Sequence, residues 1–249
     1  MKLRDKVILV TGSSRGIGRA IAARLAKEGA SIIINSSKSI GEAEKTLAVL
    51  PKRRGQRHCF IPADVTAPEQ VKEMMKEIKS HYGRLDALIN NAGTTTFIKH
   101  SDIEGLTTEI FDLMYKTHLR GCFLCVQQAF PLLKKSKDAQ VINIASIAAL
   151  TAVGSNIAYC AMKAGVVNMT MSLARALAPR IRVNAISPGL TETDLIKGWG
   201  SYKSEQIRKT PLRRLGKPED IAEAAFALLT SLNYVTGQNI IVDGGRTLE

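Results

Sequence analysis

Tyr159 and Lys163 stand four residues apart in a stretch of helical periodicity, so both side chains leave one face of one helix. A free phenol titrates near pH ~10. An ammonium group beside it stabilises the phenolate and lowers that value, so the pair can give or take a proton near neutral pH. Ser146 ends an apolar run, Val141 to Ala145, that reads as a strand, and a hydroxyl at a strand terminus can be aimed at a substrate oxygen. Singly, the serine reads equally well as a helix cap and the Tyr/Lys pair as an amphipathic surface. Together they read as proton-transfer machinery for a carbonyl or an alcohol.

A second group lies near the N-terminus. The apolar run Val7-Ile8-Leu9-Val10 passes into Thr11-Gly12-Ser13-Ser14-Arg15-Gly16-Ile17-Gly18, and a helix is expected from Arg19 to Lys27. Strand, glycine loop and helix in that order suit a pyrophosphate: the glycines permit a tight turn and a close backbone approach, and the helix start offers free N–H groups. The apolar run expected as the second strand ends Ile34-Asn35-Ser36-Ser37-Lys38, without a carboxylate. A carboxylate there would accept from a ribose 2′-hydroxyl and repel a 2′-phosphate. Arg15 and Lys38 can instead supply positive charge, and Ser36 and Ser37 hydroxyl donors, which predicts NADP(H) over NAD(H). The alternative for Arg15 and Lys38 is solvated charge on a basic protein.

These residues need a scaffold, and the chain supplies an alternating one. Apolar runs near 6–11, 31–35, 57–62, 85–90, 140–145, 181–186 and 238–242 read as strands, separated by amphipathic stretches. That rhythm predicts an α/β fold, a doubly wound parallel sheet of seven strands with helices on both faces. No composition shift or linker interrupts it, so residues 1–249 read as one domain. The exception is Leu190 to Arg214, which carries Gly198, Trp199 and Gly200 with weak periodicity. It is expected to be a long irregular loop that could act as a lid over a substrate.

Bulk composition narrows the function classes. At 249 residues and 45% hydrophobic content the chain can bury a large core. No run approaches the roughly 18 apolar residues of a membrane helix, and the first apolar run is too short for a signal peptide, so a cytoplasmic location is expected. The charge of +13 favours an acidic partner. The densest basic run, Pro51 to Arg57, has no interleaved aromatics, which argues against nucleic acid. Cys59, Cys122, Cys125 and Cys160 read as core thiols. Cys122-x-x-Cys125 has no second pair at zinc spacing, and no metal is expected.

The glycine spacing, Asn90-Asn91-Ala92-Gly93, Tyr159-x-x-x-Lys163, Pro188-Gly189 and Val242-Asp243-Gly244-Gly245 together resemble the short-chain dehydrogenase/reductase family, in its order and over nearly the whole chain. The resemblance implies a Rossmann-type fold and a hydride transfer between a nicotinamide cofactor and a carbonyl or secondary alcohol. By it, Ser146 orients the carbonyl, Tyr159 protonates it, and Lys163 also binds the nicotinamide ribose. It further implies that Gly12, Ser14, Arg15, Gly16, Ile17 and Gly18 hold the cofactor's phosphates, that Asp64 and Val65 border the adenine, that Asn91, Ala92 and Gly93 line its path, and that Pro188, Gly189, Thr191 and Thr193 hold the nicotinamide end.

One position departs from the family pattern. An asparagine that kinks the central helix and helps hold a water near the lysine is replaced by His118, in Thr117-His118-Leu119-Arg120-Gly121. Histidine can donate, accept and titrate near pH ~6.5. The expectation is that His118 keeps the relay with a pH dependence of its own; the alternative is a histidine packed between helices. Within the family the chain is most similar to 3-oxoacyl-ACP reductases, in Pro188 to Asp194 and Arg214-x-Gly216-x-Pro218-Glu219-Asp220. That implies a role in fatty acid biosynthesis and docking of acyl carrier protein by Lys137 and Arg180 at the rim of the site. A dehydrogenase of another small alcohol, sugar or ketone and a non-catalytic NADPH-binding sensor are the alternatives. The family also implies a homo-oligomer, tetramer or dimer, with Val166, Val167, Met169, Leu173 and Leu177 as apolar candidates on the helix after Tyr159.

Overall fold

The computed structural model describes residues 1–196, 198 and 200–248. Seven strands, β1 (Val7–Val10), β2 (Ser31–Ser36), β3 (Cys59–Pro62), β4 (Ala87–Asn90), β5 (Ala139–Ile144), β6 (Ile181–Pro188) and β7 (Asn239–Val242), form one parallel sheet in the order β3-β2-β1-β4-β5-β6-β7. Between and after them run α1 (Gly16–Lys27), α2 (Ile40–Val49), α3 (Pro68–Tyr82), α4 (Thr108–Met114), α5 (Gly121–Leu133), α6 (Ala148–Thr151), α7 (Ile157–Leu177), α8 (Gly200–Lys209) and α9 (Pro218–Thr230). All seven expected strands are present, with ends displaced by a residue or two.

The near-continuous apolar strands follow from burial on both faces. Ile8 and Val10 of β1 pack with Ile32 and Ile34 of β2 in the layer under α1 and α9, while Val7, Leu9 and Ile33 face the layer under α3 and α5. Each fully buried Ile or Leu contributes roughly 1.5–3 kcal/mol of transfer free energy, so the two layers together fix the register of the sheet. The strand order turns back at β1, whose neighbours are β2 and β4. Loops leaving β1 and β4 therefore diverge and leave a crevice at the carboxyl ends of the strands.

Three local features differ from expectation. Helix α1 starts at Gly16, inside the glycine loop and three residues before Arg19, so the loop and the helix's first turn are the same residues. Helix α4 passes into α5 through a π-helical segment, Tyr115–Arg120, that contains His118. Residues Leu190 to Arg214, expected as an irregular loop, carry a 3-10 turn at Asp194–Ile196 and the ten-residue α8. Trp199 lies outside the described residues. The stem of this stretch is pinned by a bridge between Thr191 and Gly216, with Glu192 N–H donating to Gly216 O at 2.8 Å and Gly216 N–H to Leu190 O at 3.0 Å.

On α7, Val166 is buried in the chain's own core, and Val167, Leu173 and Leu177 pack against it. Four of the five residues considered for oligomer contacts are thus used internally. No helix among the described residues is long and apolar enough to cross a membrane.

Candidate active site

The glycine loop closes over the ends of β1 and β4. Gly12 has φ +61° and a Cβ there would lie 2.7 Å from Ala92 Cα. At Gly18 a Cβ would lie 2.5 Å from Asn91 Nδ2 and 2.6 Å from Gly12 O. Asn91 occupies that space to hold the loop: its Nδ2 donates to Thr11 O at 2.9 Å and Gly12 O at 3.0 Å, and its backbone N–H donates to Thr11 Oγ1 at 3.0 Å. Gly18 is therefore a helix-packing glycine that does not line the cleft, in contrast to the expected cofactor contact.

The end of β2 is organised by Asn35. Its Oδ1 accepts from Gly12 N–H at 3.4 Å, and its Nδ2 donates to Ile61 O at 3.2 Å and Ala63 O at 3.1 Å. The end of β2 carries no carboxylate from Asn35 to Lys38, and the Asn35 amide is used on backbone. Ser36 is buried and accepts from Ser39 N–H at 3.2 Å, while Arg15, Ser37 and Lys38 are exposed.

Tyr159 and Lys163 come from the first two turns of α7. Asn156 caps that helix, accepting Tyr159 N–H at 2.7 Å through Oδ1 and donating from Nδ2 to Thr96 O at 2.8 Å. The cap was not singled out in the sequence, although an Asn just before an apolar helical stretch is a start signal. A buried polar network holds the helix to the sheet: Asn90 Nδ2 donates to Asn143 Oδ1 at 2.9 Å, and Asn143 Nδ2 to Thr170 Oγ1 at 2.9 Å. Ser146 follows β5, its Oγ accepting from Ala148 N–H at 3.1 Å.

The electrostatics differ from the sequence expectation. Lys163 Nζ lies 5.6 Å from the centre of the Tyr159 ring and donates to Ile144 O at 2.7 Å. Burial raises the Tyr159 phenol above its ordinary value, against the opposing hydrogen bond with Ser146. The expected depression by the ammonium is therefore absent, because desolvation wins. Burial also lowers Lys163, to about 8.

His118 packs edge-on against Tyr159, ring centres 5.2 Å apart at 89°, with Nε2 2.7 Å from Thr94 O. Burial and then the charge of Lys163 push its imidazole down to about 3, against the bond to Thr94. Neutral His118 thus donates from Nε2 to Thr94, and its Nδ1 is buried without a partner. The titrating role expected of it is corrected by this geometry: the ring stays uncharged across the working pH range. Gly93 makes room for the ring, since a Cβ there would lie 2.9 Å from His118 Cε1.

One cleft of about 810 Å³ unites these groups. It runs along Gly12, Ser14, Arg15, Gly16 and Ile17, past Ser36, Ser37 and Lys38, Asp64 and Val65, and Asn91, Ala92 and Gly93. It ends at His118, Ser146, Tyr159 and Lys163 with Pro188, Gly189, Thr191 and Thr193. Tyr202, Gln206 and Arg246 also line it, residues the sequence did not mark because they belong to α8 and the C-terminal turn. Lys137 and Arg180 do not belong to it. Both are exposed, but they precede β5 and β6, whose first residues pair as Ala139 and Ile181, so they sit at the amino end of the sheet, away from the rim. The four cysteines are free, and no group of three or more His, Cys, Asp or Glu among the described residues is placed to hold a metal ion.

The sequence model of a family described as Enoyl-(Acyl carrier protein) reductase matches residues 12–247. Ketoacyl reductase 2 of the granaticin polyketide synthase from Streptomyces violaceoruber is 40% identical over 97% of this chain and 96% of its own length. The 3-oxoacyl-[acyl-carrier-protein] reductase FabG of Staphylococcus epidermidis is 37% identical over 97% and 98%. Among solved structures, a short-chain dehydrogenase/reductase from Burkholderia xenovorans matches with a TM-score of 0.92 at 35% identity, covering 98% of this chain and 99% of that one. Aldohexose dehydrogenase from Thermoplasma acidophilum matches at 0.85 and 31%, covering 99% and 96%. The chain belongs to the short-chain dehydrogenase/reductase family and is an oxidoreductase that uses a nicotinamide cofactor.

Proposed function

We propose that this protein is an NADP(H)-dependent 3-oxoacyl-thioester reductase in which Ser146, Tyr159 and Lys163 carry the proton chemistry. The observation that carries this reading is that these three side chains and the glycine loop line one continuous cleft. The cleft fits a dinucleotide: Gly12 leaves no room for a Cβ beside Ala92, Asp64 and Val65 flank the β3 end, and Arg15 and Lys38 border the β2 end. When bound, the cofactor supplies the hydride. Arg15 and Lys38, with hydroxyls of Ser36 and Ser37, would hold a 2′-phosphate, and no carboxylate at the end of β2 repels it.

Ser146 Oγ–H donates to the substrate carbonyl oxygen and holds it against Tyr159. Burial keeps the phenol protonated at neutral pH, the form needed to give a proton to that oxygen as reduction proceeds. Lys163, fixed by Ile144 O, supplies positive charge beneath the phenol and favours the phenolate left behind. His118 orients the neighbourhood as a neutral donor to Thr94. The stretch from Leu190 to Arg214, helical in α8, acts as the lid, and the whole chain forms one domain. Action on acyl groups borne by acyl carrier protein agrees with the printed name of the Staphylococcus epidermidis relative, and the reading extends to a cytoplasmic homo-oligomer in fatty acid biosynthesis.

The similarity to aldohexose dehydrogenase favours one second reading, oxidation or reduction of a sugar at the same site. Two assays separate them, NADPH oxidation with acetoacetyl thioesters and NADP+ reduction with aldoses: the thioesters should be reduced and the aldoses left unoxidised, and the reverse preference would replace the thioester reading with the sugar one. A chain that binds NADPH and turns over neither would be the non-catalytic sensor, against which the intact Ser146, Tyr159 and Lys163 argue.

A further inference from the structure

The C-terminal run Val242-Asp243-Gly244-Gly245 belongs neither to the glycine loop nor to the proton-transfer group, yet its shape is closely determined. Gly244 and Gly245 have φ of +65° and +87°. A Cβ on Gly244 would lie 2.9 Å from Thr210 Cγ2, and one on Gly245 2.9 Å from Pro211 Cγ. Only glycine lets the chain cross the residues that follow α8 so closely. Asp243 closes the turn, accepting Gly245 N–H at 2.9 Å on one carboxylate oxygen and Thr247 N–H at 2.7 Å on the other.

The residue this turn delivers is Arg246. Its Nε donates to Gln206 Oε1 of α8 at 3.0 Å, and both side chains line the cleft beside Tyr202. Tyr202 stacks edge-on with Phe97, ring centres 6.1 Å apart, and burial raises its phenol against the opposing charge of Arg246. Arg246 follows β7, at the opposite edge of the sheet from β2 and its Lys38. It is thus a cation at the end of the cleft remote from Lys38. Of the carboxylates near it, Glu205 pairs with Lys209 at 2.5 Å while also feeling the charge of Arg246, and Asp243 accepts from backbone amides. Beyond Gln206, no hydrogen bond joins the guanidinium to another described residue.

We propose that Arg246, with its plane fixed by Gln206, selects carbonyl substrates that carry an oxyanion, a carboxylate or a phosphate, by binding that group at the α8 end of the cleft. A partly buried guanidinium whose remaining N–H groups bond to no other described residue matches an oxyanion by charge and by its two-pronged geometry. The inference rests on the reductase reading of the cleft and adds the class of substrate to it.

The test uses the purified full chain and three 3-oxobutanoyl substrates in NADPH oxidation: the neutral N-acetylcysteamine thioester, the 4′-phosphopantetheine thioester, and free 3-oxobutanoate. In Arg246→Met, the ratio of kcat/KM for an anionic substrate to that for the neutral thioester should fall roughly tenfold to a hundredfold, mainly through KM. Arg246→Lys should recover part of it. A fall confined to the phosphopantetheine substrate assigns the oxyanion to phosphate, and one confined to 3-oxobutanoate assigns it to carboxylate. Fluorescence titration with NADPH should give a Kd close to that of the wild type, which separates this role from cofactor binding and from loss of fold. An unchanged ratio overturns the proposal. A wild-type chain inert towards all three substrates overturns the reductase reading itself, and the selection with it.

Discussion

His118 offers a prediction that can be worked through in numbers. In the unfolded chain its imidazole titrates near pH ~6.5; in the fold it is held down at about 3 by burial and by Lys163. The folded state therefore binds fewer protons than the unfolded one below pH ~6.5, and stability is lost as the pH falls from the unfolded value towards the folded one. At pH ~4.5 the unfolded ring is about 99% protonated and the folded ring only a few per cent, so His118 alone removes between about 2 and 3 kcal/mol between pH ~7.5 and ~4.5. Asn does not titrate, and His118→Asn should remove this loss. Urea unfolding of both proteins across that range, at one protein concentration, gives the difference curve. Other acid-sensitive groups cancel in it, among them Asp86, which hydrogen bonds from Ser136, Val7, Arg84 and Lys6 hold below the usual carboxylate range in spite of burial. A difference between the two proteins that stays constant with pH to within about 0.5 kcal/mol would refute the argument that the ring is buried neutral. By the same reasoning the pH–rate profiles of the two proteins should be parallel between pH ~6 and ~8.

Reversing the charges at the β2 end, with Arg15→Glu and Lys38→Glu together, should raise the Kd for NADPH about tenfold or more while leaving that for NADH within about threefold, measured by fluorescence titration. Gly18→Ala must displace Asn91 Nδ2 and the backbone of Gly12 and Ser13, at 2.5, 2.6 and 2.8 Å from the new methyl. It should cost about 1–3 kcal/mol in denaturant unfolding. Lys163 is charged only below its lowered value of about 8, so kcat for carbonyl reduction should fall as the pH rises through that value, and this limb should be missing from any residual activity of Lys163→Met.

Much of this was legible because burial on both faces writes itself into the strands as uninterrupted Val, Ile and Leu. The run Val7 to Val10 serves two cores at once, and no other element type needs that pattern at that length. The glycine loop and the Tyr159/Lys163 pair were legible because chemistry fixes both residue type and spacing there. What escaped depends on packing between segments distant in sequence. Gly18 reads as a phosphate glycine until Asn91, from the other side of the switch point, is seen in the space its side chain would need. The phenol's environment could not be read from a four-residue spacing, since desolvation by the whole fold outweighs the ammonium. Residues 200–209 have a weakly apolar helical face, so their helix was missed. Lys137 and Arg180 were placed through the resemblance of the surrounding motifs, and a match along the sequence does not say at which end of a parallel strand a residue lies.

The central claim is that Tyr159 gives the proton to a carbonyl oxygen in a cleft that also holds NADPH. It is tested most directly by following NADPH oxidation with an acetoacetyl thioester in the wild type and Tyr159→Phe, alongside NADPH titration of both. The account predicts turnover in the wild type, a loss of about a hundredfold or more in kcat for the variant, and closely similar NADPH binding. Turnover surviving in Tyr159→Phe at near wild-type rate would contradict it.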